Sequence, residues 1–369
     1  MTQVTLSERA LRTMLLACLA ATSACEATQP NPPPTTPGTG PTAGVTAPGA
    51  PSAFRALPLP GAGPEGVFMD YLVCDHATGR VWVPAGNTGS VDVIEPTSSE
   101  IKRVVGFPTA VMERNGKKRT VGPSSATLGE GVVYVGNRAD STVCAVDPKA
   151  LVRGACVTLE SSPDGLAYVA ATKEIWVTTP HDKSITILDA STPAAPKAKG
   201  KLALEGEPEG YAVDDKRGVF YTNLEDKDRT LAIDVRARKI TATWQPQCGE
   251  DGPKGLVIER EASFLVVACS DHLVVLDAAH DGKQISRLDT GIGVDNLDYV
   301  DARREVYAAA GKAEKLTVAR LETSGALTTL SVVATVPGAR NAVADANGNA
   351  YVSDSKGGRI LMVAPRATR

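Results

Sequence analysis

The feature that most constrains this chain is internal repetition. Its clearest unit reads Pro163-Asp-Gly-Leu-Ala-Tyr168, then Glu174-Ile-Trp-Val177, then Ser184-Ile-Thr-Ile-Leu-Asp189. A second copy runs Pro208-Glu-Gly-Tyr-Ala-Val213, Val219-Phe-Tyr221 and Thr230-Leu-Ala-Ile-Asp234, and a third Pro253-Lys-Gly-Leu-Val-Ile258, Phe264-Leu-Val-Val267 and Leu273-Val-Val-Leu-Asp277. Fainter copies begin at Asp70-Tyr-Leu-Val73, Pro123-Ser-Ser-Ala126, Val294-Asp-Asn-Leu297 and Ala339-Arg-Asn-Ala342. With the residue in the Asp164 position as marker, the series Asp70, Ser124, Asp164, Glu209, Lys254, Asp295 and Arg340 is spaced 54, 40, 45, 45, 41 and 45. Short β-branched runs between turn residues at this period predict four-stranded propeller blades, seven of them.

The last copy has room for only three strands after Arg340. Arg55-Ala-Leu-Pro-Leu59 followed by Gly61 matches Gly200-Lys-Leu-Ala-Leu204 followed by Gly206, the fourth strand of another copy. The amino-terminal segment is therefore expected to complete the last blade and hide two strand edges. The fold expected is all-β, a seven-bladed β-propeller over residues 52–369 closed by an N-terminal strand.

Two segments precede it. Arg12 leads into the apolar and small-residue run Met14-Leu-Leu-Ala-Cys-Leu-Ala-Ala21, the length of a signal-peptide hydrophobic region and too short to span a bilayer. It ends at Thr22-Ser-Ala-Cys25, which resembles the lipobox of bacterial lipoproteins and implies lipidation at Cys25. Leu15-Leu-Ala-Cys18 is a competing match, and plain secretion is the alternative to acylation. Residues 1–25 thus read as signal peptide and lipobox. Residues 26–51, rich in Pro, Thr and Gly with almost no charge, read as an extended tether.

The propeller region resembles the YVTN or YncE-like seven-bladed β-propellers, with Val132-Val-Tyr-Val-Gly-Asn137 and Asp140-Ser-Thr-Val143 carrying the strand, Asn and Asp-Ser-Thr pattern. The resemblance implies a fold and no fixed catalytic set.

Strand direction alone puts the loop into the first strand of each blade and the loop between its second and third strands on one face. The markers Asp70, Asp164, Glu209, Lys254, Asp295 and Arg340, with Asn296, Asn341 and His181, are the expected ligand-binding residues at the mouth of the central channel. Asn87, Asn137, Glu225, Asp271 and Asp354 fall in the second loop set. Four acids and two bases that differ from blade to blade suit a small charged ligand, a cation or a peptide terminus, though a channel mouth is also simply wet. Asp147, Asp189, Asp234 and Asp277 recur at the ends of third strands and are expected to cap turns. The long 54-residue spacing contains the insertion 107–119, whose Arg114, Lys117, Lys118 and Arg119 form a candidate partner-binding loop and whose Asn115-Gly116 suits a hairpin turn.

Lys+Arg 39 against Asp+Glu 42 gives a net charge of −3, which removes the broad electrostatic case for nucleic acid. No histidine spacing for zinc, no GxSxG, no phosphate loop and no CxxCH is present, so neither a metal nor a cofactor is expected. Cys144 and Cys156 lie symmetrically about Ala150 in adjacent strands. Cys248 and Cys269 both lie near the channel-mouth face, and two disulfides are expected from these four. Cys74 is left as a buried thiol, and Trp82 and Trp176 as core. The function expected is a monomeric, non-enzymatic envelope lipoprotein that binds a small molecule or an envelope protein and touches the membrane only through its lipid. The alternative is a metal-assisted lactonase or lyase using the ring carboxylates, with one of them or His181 as acid or base.

Overall fold

The computed structural model describes residues 53–114 and 116–365; the signal peptide, Cys25 and the tether lie outside the described residues. Seven four-stranded antiparallel sheets form, together with one two-stranded hairpin. The innermost strands are Val73–Asp75, Pro123–Gly129, Leu166–Val169, Pro208–Asp214, Leu256–Glu259, Val294–Val300 and Ala342–Ala344 for blades one to seven. Each lies beside the innermost strands of the blades before and after it, and the seventh lies beside the first, so the ring is closed.

The closing strand is where the repeat placed it. Arg55–Pro58 pairs antiparallel with Arg359–Val363, and Ala342–Ala344, Ala350–Asp354, Arg359–Val363 and Arg55–Pro58 make blade seven. In blades one, four and seven the turn between the first and second strands runs over residues 75–79, 214–218 and 345–348. Asp147, Asp189, Asp234 and Asp277 cap turns, their carboxylates accepting from backbone N–H groups two or three residues on.

Burial explains the β-branched runs. Middle strands such as Ser90–Ile94 and Glu174–Thr179 are buried throughout, whereas the outer strand Val152–Thr158 is almost wholly exposed. A strand covered on both faces carries apolar residues on both, alternately directed to the two neighbouring blades. Val81, Val83 and Ile94 of blade one pack with blade seven, while Trp82, Val91 and Val93 pack with blade two. Seven such apolar clusters, one per blade-to-blade seam, make up the core. Trp82 and Trp176 sit fully inside it.

Both expected disulfides form, Cys144–Cys156 across directly opposed strand positions and Cys248–Cys269 between the loop entering blade five and the end of that blade's second strand. Cys74 is buried, and burial pushes its thiol up to about 12, so it stays protonated and unreactive. Disulfides of this kind belong to oxidising compartments, and these two fit an exported chain. No helix among the described residues is long and apolar enough to cross a membrane.

Ring closure places a specific demand on Leu57, which is 7% exposed and packs into the seam between blades seven and one. Leu57→Ala is expected to lower unfolding free energy by about 2–5 kcal/mol in urea titrations. An unchanged midpoint would show that the amino-terminal strand is not part of the cooperative ring.

Candidate binding site at the channel mouth

The repeated Pro-X-Gly step builds one end of the channel. Gly210 N–H donates to the Lys254 carbonyl at 3.2 Å, Gly255 N–H to Asp295 at 2.8 Å, Asp295 N–H to Arg340 at 3.3 Å and Tyr71 N–H to Ser124 at 3.0 Å. Neighbouring blades are thus stitched backbone to backbone at this rim. Glycine is required there because a Cβ at Gly210 would collide with the Lys254 carbonyl oxygen, and one at Gly165 with the Tyr211 ring. With the backbone so close, the side chain just before each glycine stands at the rim.

Inside the ring, the inner strands of all seven blades enclose about 370 Å³, lined at this end by Asp70, Tyr71, Tyr211, Asn296 and Asn341. The opposite end carries His76, Asp215, Arg260 and Asp301, with Arg260 Nη1 paired to Asp301 Oδ2 at 3.2 Å.

The marker residues do meet one another, through two arginines and a tyrosine. Arg138, from the loop after the second strand of blade two, donates to Asp70 Oδ2 at 2.7 Å and also pairs with Asp164. Arg340 Nε lies 3.3 Å from Asp295 Oδ2, and its Nη2 lies 4.0 Å from Asp70 Oδ1. Tyr71 Oη reaches across the channel to Asp164 Oδ2 at 3.2 Å and Glu209 Oε1 at 3.3 Å. Lys254 pairs with Glu225 of the second loop set. All seven blades are linked in this way by side chains, and the seams between blades one and two, four and five, five and six, and six and seven by backbone as well.

The charges do not cancel. Two guanidinium groups pair with Asp70, Asp164 and Asp295, while Lys254, paired with Glu225, acts on Glu209 and Asp295 only as a longer-range charge. Among the described residues Glu209 has no ion-pair partner; its contact is the Tyr71 hydroxyl. Burial pushes the Glu209 carboxyl well above its usual range, the nearby Asp164, Asp295 and Asp70 charges push it further, and Arg138 opposes them. Burial likewise raises Asp295 to about 6 against the pull of Arg340, and raises Asp164 against Arg138. The phenol of Tyr71 has one proton and touches two carboxylates, so it can donate to only one of them at a time.

Not every candidate joins this cluster. His181 sits exposed on the short turn Pro180–Asp182 and makes no contact with the ring. Asn296 is half-buried on the channel wall, whereas Asn341 is 2% exposed and, among the described residues, neither its Oδ1 nor its Nδ2 has a hydrogen-bond partner. Ser124, the marker of blade two, is fully buried with its Oγ also unpartnered.

The basic insertion folds as the expected hairpin, Ala110–Arg114 against Lys117–Val121, with Gly116 in the turn and Asn115 outside the described residues. Arg114 pairs in register with Lys117, and Lys118 is exposed. Arg119 stacks on Phe68, its guanidinium carbon 4.0 Å from the ring centroid, and Arg138 approaches the same ring at 5.6 Å. A shared aromatic ring therefore connects the hairpin to the arginine that holds Asp70 and Asp164.

Arg138 and Tyr71 were not singled out from the sequence. Tyr71 follows a marker residue, and Arg138 follows Asn137 on a loop set already assigned to this face, but their partners belong to other blades. Among the described residues, no group of three or more His, Cys, Asp or Glu is arranged to hold a metal ion.

No family model matches the chain, and no curated protein matches it. Solved structures do. A chain of a mitotic checkpoint complex shares 14% identity at a TM-score of 0.68, over 87% of this chain and 96% of that one. Hydrazine synthase of Kuenenia stuttgartiensis gives 10% and 0.66, over 82% and 97%. A catalytically inactive virginiamycin B lyase from Staphylococcus aureus, solved with quinupristin, gives 12% and 0.63, over 84% and 98%. At these identities the likeness establishes the seven-bladed propeller and no activity.

The electrostatics carry a sign that can be measured. A carboxyl whose folded pKa is raised takes up its proton early as pH falls, so its stabilising contribution is present below the unfolded value and is lost as pH rises through the folded one. Glu209→Gln cannot ionise. Its melting temperature relative to the native protein is therefore expected to rise progressively from pH 5 to pH 9. A constant difference across that range would show that Glu209 titrates as an ordinary carboxylate.

Proposed function

We propose that this chain is a non-enzymatic, ligand-binding propeller of the bacterial cell envelope, related to the YVTN or YncE-like proteins. In this reading residues 1–25 are a signal peptide ending in a lipobox, Cys25 carries the lipid, residues 26–51 are a tether, and residues 52–369 form the propeller. The tether's composition and the two disulfides support export. The ligand is a small molecule taken at the acid-lined end of the channel; an envelope protein reached by the basic hairpin of Arg114, Lys117, Lys118 and Arg119 is the second reading, favoured by the link from Arg119 through Phe68 to Arg138.

The observation that carries the reading is the incompletely neutralised cluster at the rim. Four carboxylates gather at the rim of the channel, two arginines pair with three of them, and Glu209 has no ion-pair partner among the described residues. Such an arrangement costs folding free energy, and proteins keep costs of this kind at sites of function. The metal-assisted alternative calls for three or more ligands around one point, and the described acids are instead distributed between Arg138, Arg340 and Tyr71.

Two measurements test the proposal. Metabolic labelling with a palmitate analogue is expected to mark the native protein and not Cys25→Ala. A thermal-shift screen of small metabolites, confirmed by calorimetry, is expected to return ligands whose effect is lost in Tyr71→Phe. A complete absence of ligand-induced shifts, with turnover of a lactone or ester, would replace the binder by the enzyme.

A further inference from the structure

Resting on the binding reading, we infer that the ligand presents an organic ammonium group. It is received between Glu209 and Asp164 beside the Tyr71 hydroxyl, with the Asn341 amide as an additional polar partner. Three independent features lead here.

The first is charge and hydrogen-bond capacity. Glu209 has no cationic partner among the described residues, and its Oε1 shares one phenolic proton with Asp164. An ammonium group has three N–H donors and one positive charge, so it can serve both carboxylates and supply the missing cation. An anion would meet four acid side chains and only cations that Asp70, Asp164, Asp295 and Glu225 already engage. Lys254 at this rim pairs with Glu225 and acts on Glu209 only as a longer-range charge, without a direct contact.

The second feature is independent of the acids. Asn341 is 2% exposed on the channel wall, and both ends of its amide lack a partner. Buried amides of this kind are rare because each unmade hydrogen bond costs about 1–3 kcal/mol. A ligand in the channel that carries a donor or acceptor besides its ammonium group would satisfy them once the side chain turns toward it.

The third feature is the wall behind the acids. Tyr71 and Tyr211 stack with centroids 5.8 Å apart and line the channel, followed by Leu166, Ala212 and Leu256. Aromatic faces next to carboxylates favour organic cations over inorganic ones, since the ring quadrupole attracts the charge and the apolar wall accepts the attached carbon chain. The enclosed 370 Å³ suits a small molecule or a single side chain.

Saturation-transfer NMR on the full chain with three probes of one length, pentylammonium, pentanoate and 1-pentanol, tests this directly. Transfer to pentylammonium and none to pentanoate is expected. Glu209→Gln is expected to weaken pentylammonium at least about tenfold, as for loss of a hydrogen bond to a charged group. The amide is tested with lysinamide, whose binding Asn341→Ala should weaken more than it weakens pentylammonium. Where Glu209→Gln fails to fold, Tyr71→Phe, which removes the bridging hydroxyl, takes its place. Preference for pentanoate would overturn the ammonium assignment while leaving a binding channel. Pentylammonium binding indifferent to Glu209→Gln and Tyr71→Phe would overturn the site, and no transfer to any probe would overturn the inference, with the metabolite screen then deciding the binding reading separately.

Discussion

Every blade of this protein is a sheet with apolar side chains on both faces, and such a sheet is insoluble until both faces are covered. The only cover available is the next blade. Blade one sends Trp82, Val91 and Val93 into one seam and Val81, Val83 and Ile94 into the other, and the same division recurs around the ring. Closure is therefore a condition of stability, since an open array would expose one whole face at each end. The pairing of Arg55–Pro58 with Arg359–Val363 meets that condition by tying the first strand of the ring to the last.

Closure also creates the channel and its chemistry. Seven inner strands converge, and at the rim the backbone of one blade donates to the backbone of the next, which leaves no room for a Cβ at Gly210. The side chains at the marker positions, before Gly165, Gly210 and Gly255 in three blades and before Tyr71, Asn296 and Asn341 in three others, are brought into one small region. Because their identities differ from blade to blade, the region acquires a particular charge pattern: two arginines share Asp70, Asp164 and Asp295 between them, and Glu209 is left to a tyrosine hydroxyl. Burial then raises the Glu209, Asp164 and Asp295 carboxyls together. The scaffold's regularity positions the site, and its departures from regularity give the site its character.

Features governed by local or periodic rules were readable in the chain. Asp147, Asp189, Asp234 and Asp277 cap turns through their own following N–H groups, which is a matter of two or three residues. Cys144 and Cys156 could be paired because one hairpin separates them, and the hairpin of residues 110–121 because an Asn-Gly turn lies between basic strands. Strand direction was enough to bring Asp70, Asp164, Glu209 and Asp295 to one face. It was not enough to separate His181, which shares that face but projects from an exposed turn. Nor could it identify Arg138, whose two carboxylate partners come from the blades on either side of its own.

The sequence by itself determined the repeat, hence the number of blades, the closing strand, the two disulfides and the face on which variable polar residues gather, because periodicity and strand polarity are properties of the chain. The tertiary structure alone decided which of those residues touch. Tyr71 meets Glu209 across three blades, and Asn341 is buried without a partner, because contact across a ring depends on its radius and on how far each side chain reaches. Neither quantity is written in the spacing of the residues, and both are fixed only when the seams pack and the ring shuts.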